Sequence, residues 1–546
     1  MDDRTLNKLN QLLITLLFCA VIFVPFLVGI IETDVAVSEI EKRPLAPIPA
    51  VPHTVREIKS YPKLFDQYYS DHFGLRFWFS SYYTFAKYCL GESTTENVTL
   101  TQNDWMFLGS IKKPVHGDPI GDARHVNHYT LQELKDFARY MSGLNAWLKA
   151  KNIQYVFVIA PNKHTIYFDR LPRYIQKMHP QSPTDQLIEY LEEHTDVAVV
   201  DLRDALNKEK DNKPLYYKTG THWNFMGGNI AQYEIMSRIQ KMFPGRIQPE
   251  LYDDSKFEFG IANDRGLEKL AGINVNPPPT APYPVWEPGE KPDTDYPKDK
   301  NGTDLMQPIH THVNSSENLN AVIFRDSFFR VLEPYFHRKF HRSTYIWERV
   351  SYPMLKKQVE LEQPDIVIEE WVERILPYVP QSNPEFEKYY QQYLFESSHQ
   401  KIVSIDQNQL SLNSSLQVLQ NESGSTRLKA IGKTPVITLP ELPGDQSAER
   451  ILRIKLHSAT PTSMQVLPMV QGGNGSSSLG QTDFPHQISK GENVLFVPIK
   501  LTGVKCSLHL QPQSGTGEIT IQSLDIKQIS HTRSGHEVVQ KQRIKK

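Results

Sequence analysis

The chain has 546 residues, 39% hydrophobic and 22% charged, a balance that describes globular protein and excludes a disordered or collagen-like chain. A net charge of −2 excludes the broad basic surface that nucleic acid binding demands. Three cysteines, Cys19, Cys89 and Cys506, stand too far apart in sequence for a disulfide framework or a zinc-ligand spacing, and no motif calls for a metal or a cofactor.

In chain order, the first signal is Leu12 to Ile31, a run without a charged side chain. At about 1.5 Å rise per residue its length matches a hydrocarbon core of roughly 30 Å, which predicts one transmembrane helix behind a stub of residues 1–11. A cleaved signal peptide is the rival reading, but no small-X-small site precedes Glu32-Thr33-Asp34. Arg4 and Lys8 before the run are matched by Lys42 and Arg43 after it, so the charge rule is balanced. The long body that follows suits an exported domain, because long segments translocate with little regard to charge. Residues 32–60, with Pro44, Pro47, Pro49 and Pro52, predict an extended spacer, and the aromatic-rich residues 61–90 predict helices.

From residue 131 onward helix and strand patterns alternate. A helix over Leu131–Ala150 feeds a buried strand at Tyr155–Ala160; a helix over Asp185–His194 is followed by a strand at Val197–Val200 that ends on Asp201. A helix over Trp223–Met242, a strand at Ala321–Phe324 and a short strand at Ile366–Ile368 continue the series. This alternation predicts an α/β domain over 61–396, with a mostly parallel sheet and helices on both faces. Residues 253–318, polar and carrying Pro277-Pro278-Pro279, read as an insertion or extended loop of the kind often found beside active sites. After Ser397 strand-like runs such as Arg450–Leu456 and Glu518–Ile521, divided by Gly, Ser and Asn turns, predict a second, all-β domain over 397–532, a sandwich or jelly roll, before a basic tail at 533–546. Such modules bind glycans in many proteins, though the fold alone does not assign that role.

Two stretches carry chemistry: Tyr217-Lys218-Thr219-Gly220-Thr221-His222-Trp223-Asn224 and Val322-Ile323-Phe324-Arg325-Asp326-Ser327-Phe328-Phe329. In the second, a buried strand ends in a charged pair and a serine, which sets the Ser327 hydroxyl at the carboxyl-end crevice where α/β sheets hold ligands. A serine needs a base within hydrogen-bond reach, and His222 fills that role if the fold brings the two together. The structural alternative is a helix start with a satisfied histidine at His222-Trp223-Asn224 and an aromatic-packed strand end at Phe324–Phe329.

These stretches, with Glu41-Lys42-Arg43-Pro44-Leu45-Ala46-Pro47, Tyr69-Ser70-Asp71-His72-Phe73-Gly74-Leu75-Arg76, Asp104-Trp105-Met106-Phe107-Leu108 and Ala160-Pro161-Asn162-Lys163-His164-Thr165-Ile166-Tyr167, resemble the periplasmic alginate O-acetyltransferase proteins over residues 40–380. The resemblance implies a permuted SGNH-hydrolase-like fold and an Asp-X-His segment ahead of the serine segment, with His222 and Ser327 in the matching places. Gly220 stands where that family carries the aspartate. Asp326 is adjacent to Ser327 and points away along an extended chain, so it is expected to brace the turn. Asp201 and Glu373 are weaker substitutes, and the orienting acid stays unassigned.

The implied reaction moves an acetyl group from a donor, supplied through a membrane-bound acyltransferase, onto Ser327 and then to a hydroxyl of an exported polysaccharide. Lys163 and Arg325 are expected either at the sugar or in ordinary surface salt bridges, and Trp223 and Asn224 as supporting or substrate-binding residues. The implied location is the bacterial inner membrane, single-pass, with the body in the periplasm. Resolution of the acyl-serine by water would make an esterase, and a site disabled by Gly220 would leave a glycan-binding scaffold.

Overall fold

The computed structural model describes residues 3–31, 37–38, 43–90, 92–93, 95–109, 117–286, 293–295, 298–299, 302–303, 307–313, 319–381, 383–422, 424–440, 449–470, 485–499, 506–512 and 517–529. The expected basic tail lies outside them. Helix α1 spans Asp3–Ile31 and contains a window, Asn7–Gly29, long and apolar enough to cross a membrane. It begins ahead of residue 12 because no Gly or Pro interrupts the polar residues before the apolar run. Helix α2, Val55–Asp71, starts inside the expected spacer: Thr54 and Glu57 form a capping box that satisfies the first free N–H groups. Helix α3 covers Arg76–Cys89.

The central body follows in alternation: α4 (Leu131–Lys149), β1 (Gln154–Ala160), α5 (Pro183–His194), β2 (Ala198–Asp201) and α6 (Phe225–Met242). Residues 253–318 correct the loop expectation. They contain a hairpin of β3 (Phe257–Ile261) and β4 (Thr280–Pro284), the short helix α7 (Gly266–Ala271) between its strands, and two strands, β5 (Asp293–Asp295) and β6 (Ile309–His312), added to the main sheet. Polar composition hid them because the strands are short, and in β6 the buried Ile309 and Thr311 alternate with the exposed His310 and His312. Then come β7 (Asn320–Phe324), β8 (Arg342–Ile346), α8 (Tyr352–Glu362), β9 (Ile366–Val372) and α9 (Pro384–Ser397).

The seven-stranded sheet runs β2-β1-β9-β7-β8-β6-β5. Its first five strands pair in parallel; β6 joins β8, and β5 joins β6, antiparallel. The alternation along β1 builds two cores. Val156, Val158 and Ala160 face one with α6, while Tyr155, Phe157 and Ile159 face the other with α4, α5, α8 and α9. Burial on both faces is why the strand reads as an unbroken apolar run. Strand β9 continues past Ile368 through two glutamates because the buried Glu369 is satisfied: it accepts from the Tyr155 hydroxyl at 2.6 Å, Trp371 Nε1 at 2.8 Å and Val350 N–H at 3.0 Å.

Beyond α9, two antiparallel sheets, of six and five strands, share one apolar core that includes Leu428, Leu452, Ile454 and Ile521 from the first and Ile437, Met464, Val466 and Leu510 from the second. Helix α9 joins the bodies: Leu394 and Phe395 pack on Ile451 and Ile529, and Lys527 Nζ donates to the Phe395 carbonyl at 2.7 Å.

Candidate active site

Ser327 follows β7, at the carboxyl end of the parallel strands, and opens the short turn Phe328–Val331. The turn is stitched to the sheet by Asp326, whose carboxylate accepts from Phe328 N–H at 2.7 Å and, across the sheet, from Val372 N–H at 2.9 Å. Asp326 thus braces the turn. Loss of two charge-assisted bonds in Asp326→Ala is expected to cost about 2–3 kcal/mol, read as a lowered denaturation midpoint.

His222 lies ahead of α6. Asn224 caps that helix, accepting from Met226 and Gly227 N–H groups, and its own Nδ2 donates to the Pro214 carbonyl. Trp223 is fully buried; its Nε1 donates to the Phe328 carbonyl at 2.9 Å and its ring meets Phe328 edge-on, which ties the histidine segment to the serine segment. Both residues support the site from inside. With the two segments so fixed, Ser327 Oγ stands 2.8 Å from His222 Nε2 across 105 residues of chain.

The far nitrogen, Nδ1, lies 2.7 Å from Asp264 Oδ2. Asp264 sits between β3 and α7, in the segment expected to be loop, and was not among the candidate acids. Burial pushes its carboxyl up, but the hydrogen bond and charge of His222, with the N–H groups of Gly266 and His222, more than reverse this and hold it at about 2. That value lies below the roughly 3.9 of an unfolded aspartate, so the stabilisation is present above pH about 4 and is lost as pH falls toward 2.

Gly220 explains the substitution. A Cβ there would lie 2.3 Å from Asp264 Oδ2, so the volume a side chain at 220 would enter is filled by the Asp264 carboxylate. The two segments are zipped together: Leu267 N–H donates to the Thr219 carbonyl at 3.0 Å and the Thr219 hydroxyl to Glu268 at 2.6 Å. The other proposed acids are elsewhere. Asp201 pairs with Arg203, and Glu373 accepts from Asn162 N–H and the Thr165 and Thr184 hydroxyls.

Two expectations need correction. Lys163 is buried and does not face a sugar; its Nζ donates to the carbonyls of Met106, Tyr217, Lys218 and Gly220 at 2.7, 2.7, 2.9 and 3.1 Å, beneath the His222 segment. Arg325 is buried too, paired with Glu333 at 3.0 Å and stacked over Trp347, because β7 carries it back into the body. Among the described residues no group of three or more His, Cys, Asp or Glu side chains is placed to hold a metal ion.

Residues 98–293, which include His222 and Asp264, match the family model described as an SGNH hydrolase-like domain, acetyltransferase AlgX. The likeness to that family model is confined to this segment, under half of the chain. Ser327 lies beyond the matched residues. The probable alginate O-acetylase AlgJ of Pseudomonas aeruginosa is 22% identical over 180 residues, 32% of this chain and 42% of that protein, so the chain spans under half the length of this relative. Among solved structures, the O-acetyltransferase domain of Pseudomonas putida AlgJ is 16% identical at a TM-score of 0.33, covering 54% of this chain and 99% of its own. Pseudomonas aeruginosa AlgX is 12% identical at a TM-score of 0.33, covering 79% and 94%.

Proposed function

We propose that this protein is a polysaccharide O-acetyltransferase working through an acetyl-Ser327 intermediate. The observation that carries the reading is the unbroken line from Ser327 Oγ through the His222 ring to Asp264. In the first half-reaction Ser327 Oγ attacks the acetyl carbonyl carbon of the donor while His222 Nε2 takes the hydroxyl proton. The tetrahedral oxyanion collapses, the bond to the donor's leaving group breaks, and that group departs with the proton from His222. In the second half-reaction a sugar hydroxyl gives its proton to His222 and attacks the acetyl carbon. The ester forms on the sugar and Ser327 recovers the proton. Asp264 fixes the imidazole with Nε2 free toward serine and stabilises the imidazolium in both halves.

Gly220 is then no sign of a disabled site, because the missing carboxylate arrives from the β3–α7 connection. The chain order, histidine segment before serine segment, supports a permuted SGNH-like unit over 61–396, with a β-sandwich unit over 397–532. Helix α1 is read as a single-pass anchor in a bacterial inner membrane, which sets the body in the periplasm, near a membrane-bound acyltransferase that passes on the acetyl group.

Incubation of the full chain with an activated acetyl ester is expected to raise its intact mass by one acetyl group, located on the Ser327 peptide. On addition of an acceptor oligosaccharide the group is expected on the sugar. Absence of the adduct with every donor overturns the reading, and release of acetate alone makes the protein an esterase.

A further inference from the structure

Strand β9 runs apolar as far as Ile368 and then carries two adjacent glutamates, Glu369 and Glu370, both buried. Side chains alternate across a strand, so the two point to opposite sides of the sheet. Glu369 is met by three donors. Glu370 is not: its Oε2 accepts from the Asp326 N–H at 3.1 Å, and among the described residues no donor reaches its Oε1. An ionised carboxylate there would combine a buried charge with a bare acceptor.

What stands beside Glu370 decides its state. The Asp326 carboxylate lies within hydrogen-bond reach of the Glu370 carboxyl. Both Asp326 oxygens already act as acceptors, one for the Phe328 N–H and one for the Val372 N–H, so the hydrogen between the two carboxyls belongs on Glu370. The nearby cations are engaged elsewhere: Arg325 with Glu333 and Trp347, and Arg374 with Asn162 Oδ1 at 3.2 Å and the face of Phe328. On its other side β1 sets Val158 opposite Glu370, and α6 turns Met226 and Ile230 into the same core. Burial, and after it the Asp326 charge, keep the Glu370 proton on well above the usual carboxyl range, against the weaker opposing pull of the Asp326 N–H and Arg325.

We propose that Glu370 is a positioning residue for the nucleophile: as the neutral acid it grips Asp326 at both ends, Oε2 taking the backbone N–H and the Oε1 hydroxyl donating to the carboxylate, and so sets how Ser327 leaves β7. The inference rests on the reading of Ser327 as the nucleophile. Loss of that hydrogen would put two carboxylates in contact, and their repulsion would act on the residue directly before Ser327. The Asp326 bonds to Phe328 and Val372 would then yield, and the 2.8 Å approach of Ser327 Oγ to His222 Nε2 depends on the turn they close.

The full chain is compared with Glu370→Gln, whose amide offers an acceptor oxygen and a donor but no proton to lose, and with Glu370→Leu, which offers neither. At neutral pH the infrared difference between wild type and Glu370→Gln is expected to contain the carbonyl band of a protonated carboxyl, shifted in heavy water. With an activated acetyl ester, kcat per folded molecule is expected to fall about 10–100-fold in Glu370→Leu, and Glu370→Gln to recover most of that loss. As pH is raised, wild-type kcat is expected to fall, and to return when pH is lowered, while that of Glu370→Gln holds. Absence of the band, a Glu370→Gln as slow as Glu370→Leu, or coincident alkaline profiles of wild type and Glu370→Gln each overturn the proposal. Should Glu370→Leu fail to fold, the band and the alkaline divergence decide without it. A wild type that shows the band yet transfers no acetyl group overturns the enzyme reading, and with it the role at the nucleophile, while the carboxyl pair itself stands.

Discussion

Replacement of Asp264 by asparagine is expected to slow acetyl transfer about 10³–10⁴-fold while the protein stays folded, because an amide can hold Nδ1 only in the wrong tautomer and cannot stabilise the imidazolium. Ser327→Ala sets the floor against which this is read, since members of one catalytic unit act together and their losses do not add. The Gly220 geometry makes the prediction a four-way comparison. Gly220→Asp alone is expected to fail, because its Cβ would fall 2.3 Å from the existing carboxylate and two like charges would share one site. Asp264→Ala alone is expected to lose the orienting acid. Gly220→Asp combined with Asp264→Ala opens the space and returns a carboxylate to it, and is expected to recover a measurable part of the loss. Steady-state kcat with one activated acetyl ester, measured on all four proteins, checks the scheme. A double variant no better than Asp264→Ala would mean that the position of the acid, and not only its presence, is fixed by the Thr221 and His222 N–H groups that also point at Asp264.

The comparison of Gly220 with Asp264 shows where sequence reading stops. Tyr155–Ala160 and Ala321–Phe324 were legible because strands buried on both faces must be apolar throughout, and the switch from Phe324 to Arg325-Asp326-Ser327 marked the point where the chain leaves the sheet. His222 and Ser327 were legible for the same reason, each being a reactive side chain at an apolar boundary. Asp264 lay in Asn263-Asp264-Arg265-Gly266, a polar turn in a polar region, and no periodicity separates it from the other acids there. The available signal was a vacancy: a glycine without a left-handed backbone, at a site where the resembling proteins place a side chain, has its space filled from elsewhere. Which residue fills it is a fact of tertiary contact. Strand β8 was missed on similar grounds, since Ser343 and Thr344 break its apolar pattern although both are buried.

Lys163 was misread because a lysine is expected in water, and its actual setting predicts the second large effect. Four backbone carbonyls converge on one buried ammonium, three of them from the Tyr217–Gly220 segment that leads into His222 and one from Met106. Trp105 and Phe107 close the site, with Nζ 4.8 and 5.0 Å from their ring centres. Burial pushes the Lys163 pKa well down, so the charged form is costly, and the ring of carbonyl oxygens with the Asp264 charge is what opposes that cost. Lys163→Met keeps the length of the side chain and removes every donor. Each buried carbonyl left without a partner costs about 1–3 kcal/mol, and with partial relaxation of the segment a net loss of about 3–5 kcal/mol is expected. For a body of this size that is about 4–7 °C in the midpoint of thermal unfolding. Transfer activity is expected to fall further than the folded fraction at the assay temperature, because the freed segment is the one that carries the Thr219 contact to Glu268 and delivers His222 to Asp264. Thermal unfolding together with kcat per folded molecule separates the two. If Lys163→Met unfolds at the wild-type temperature with normal kcat, the ammonium is not the clamp beneath the histidine.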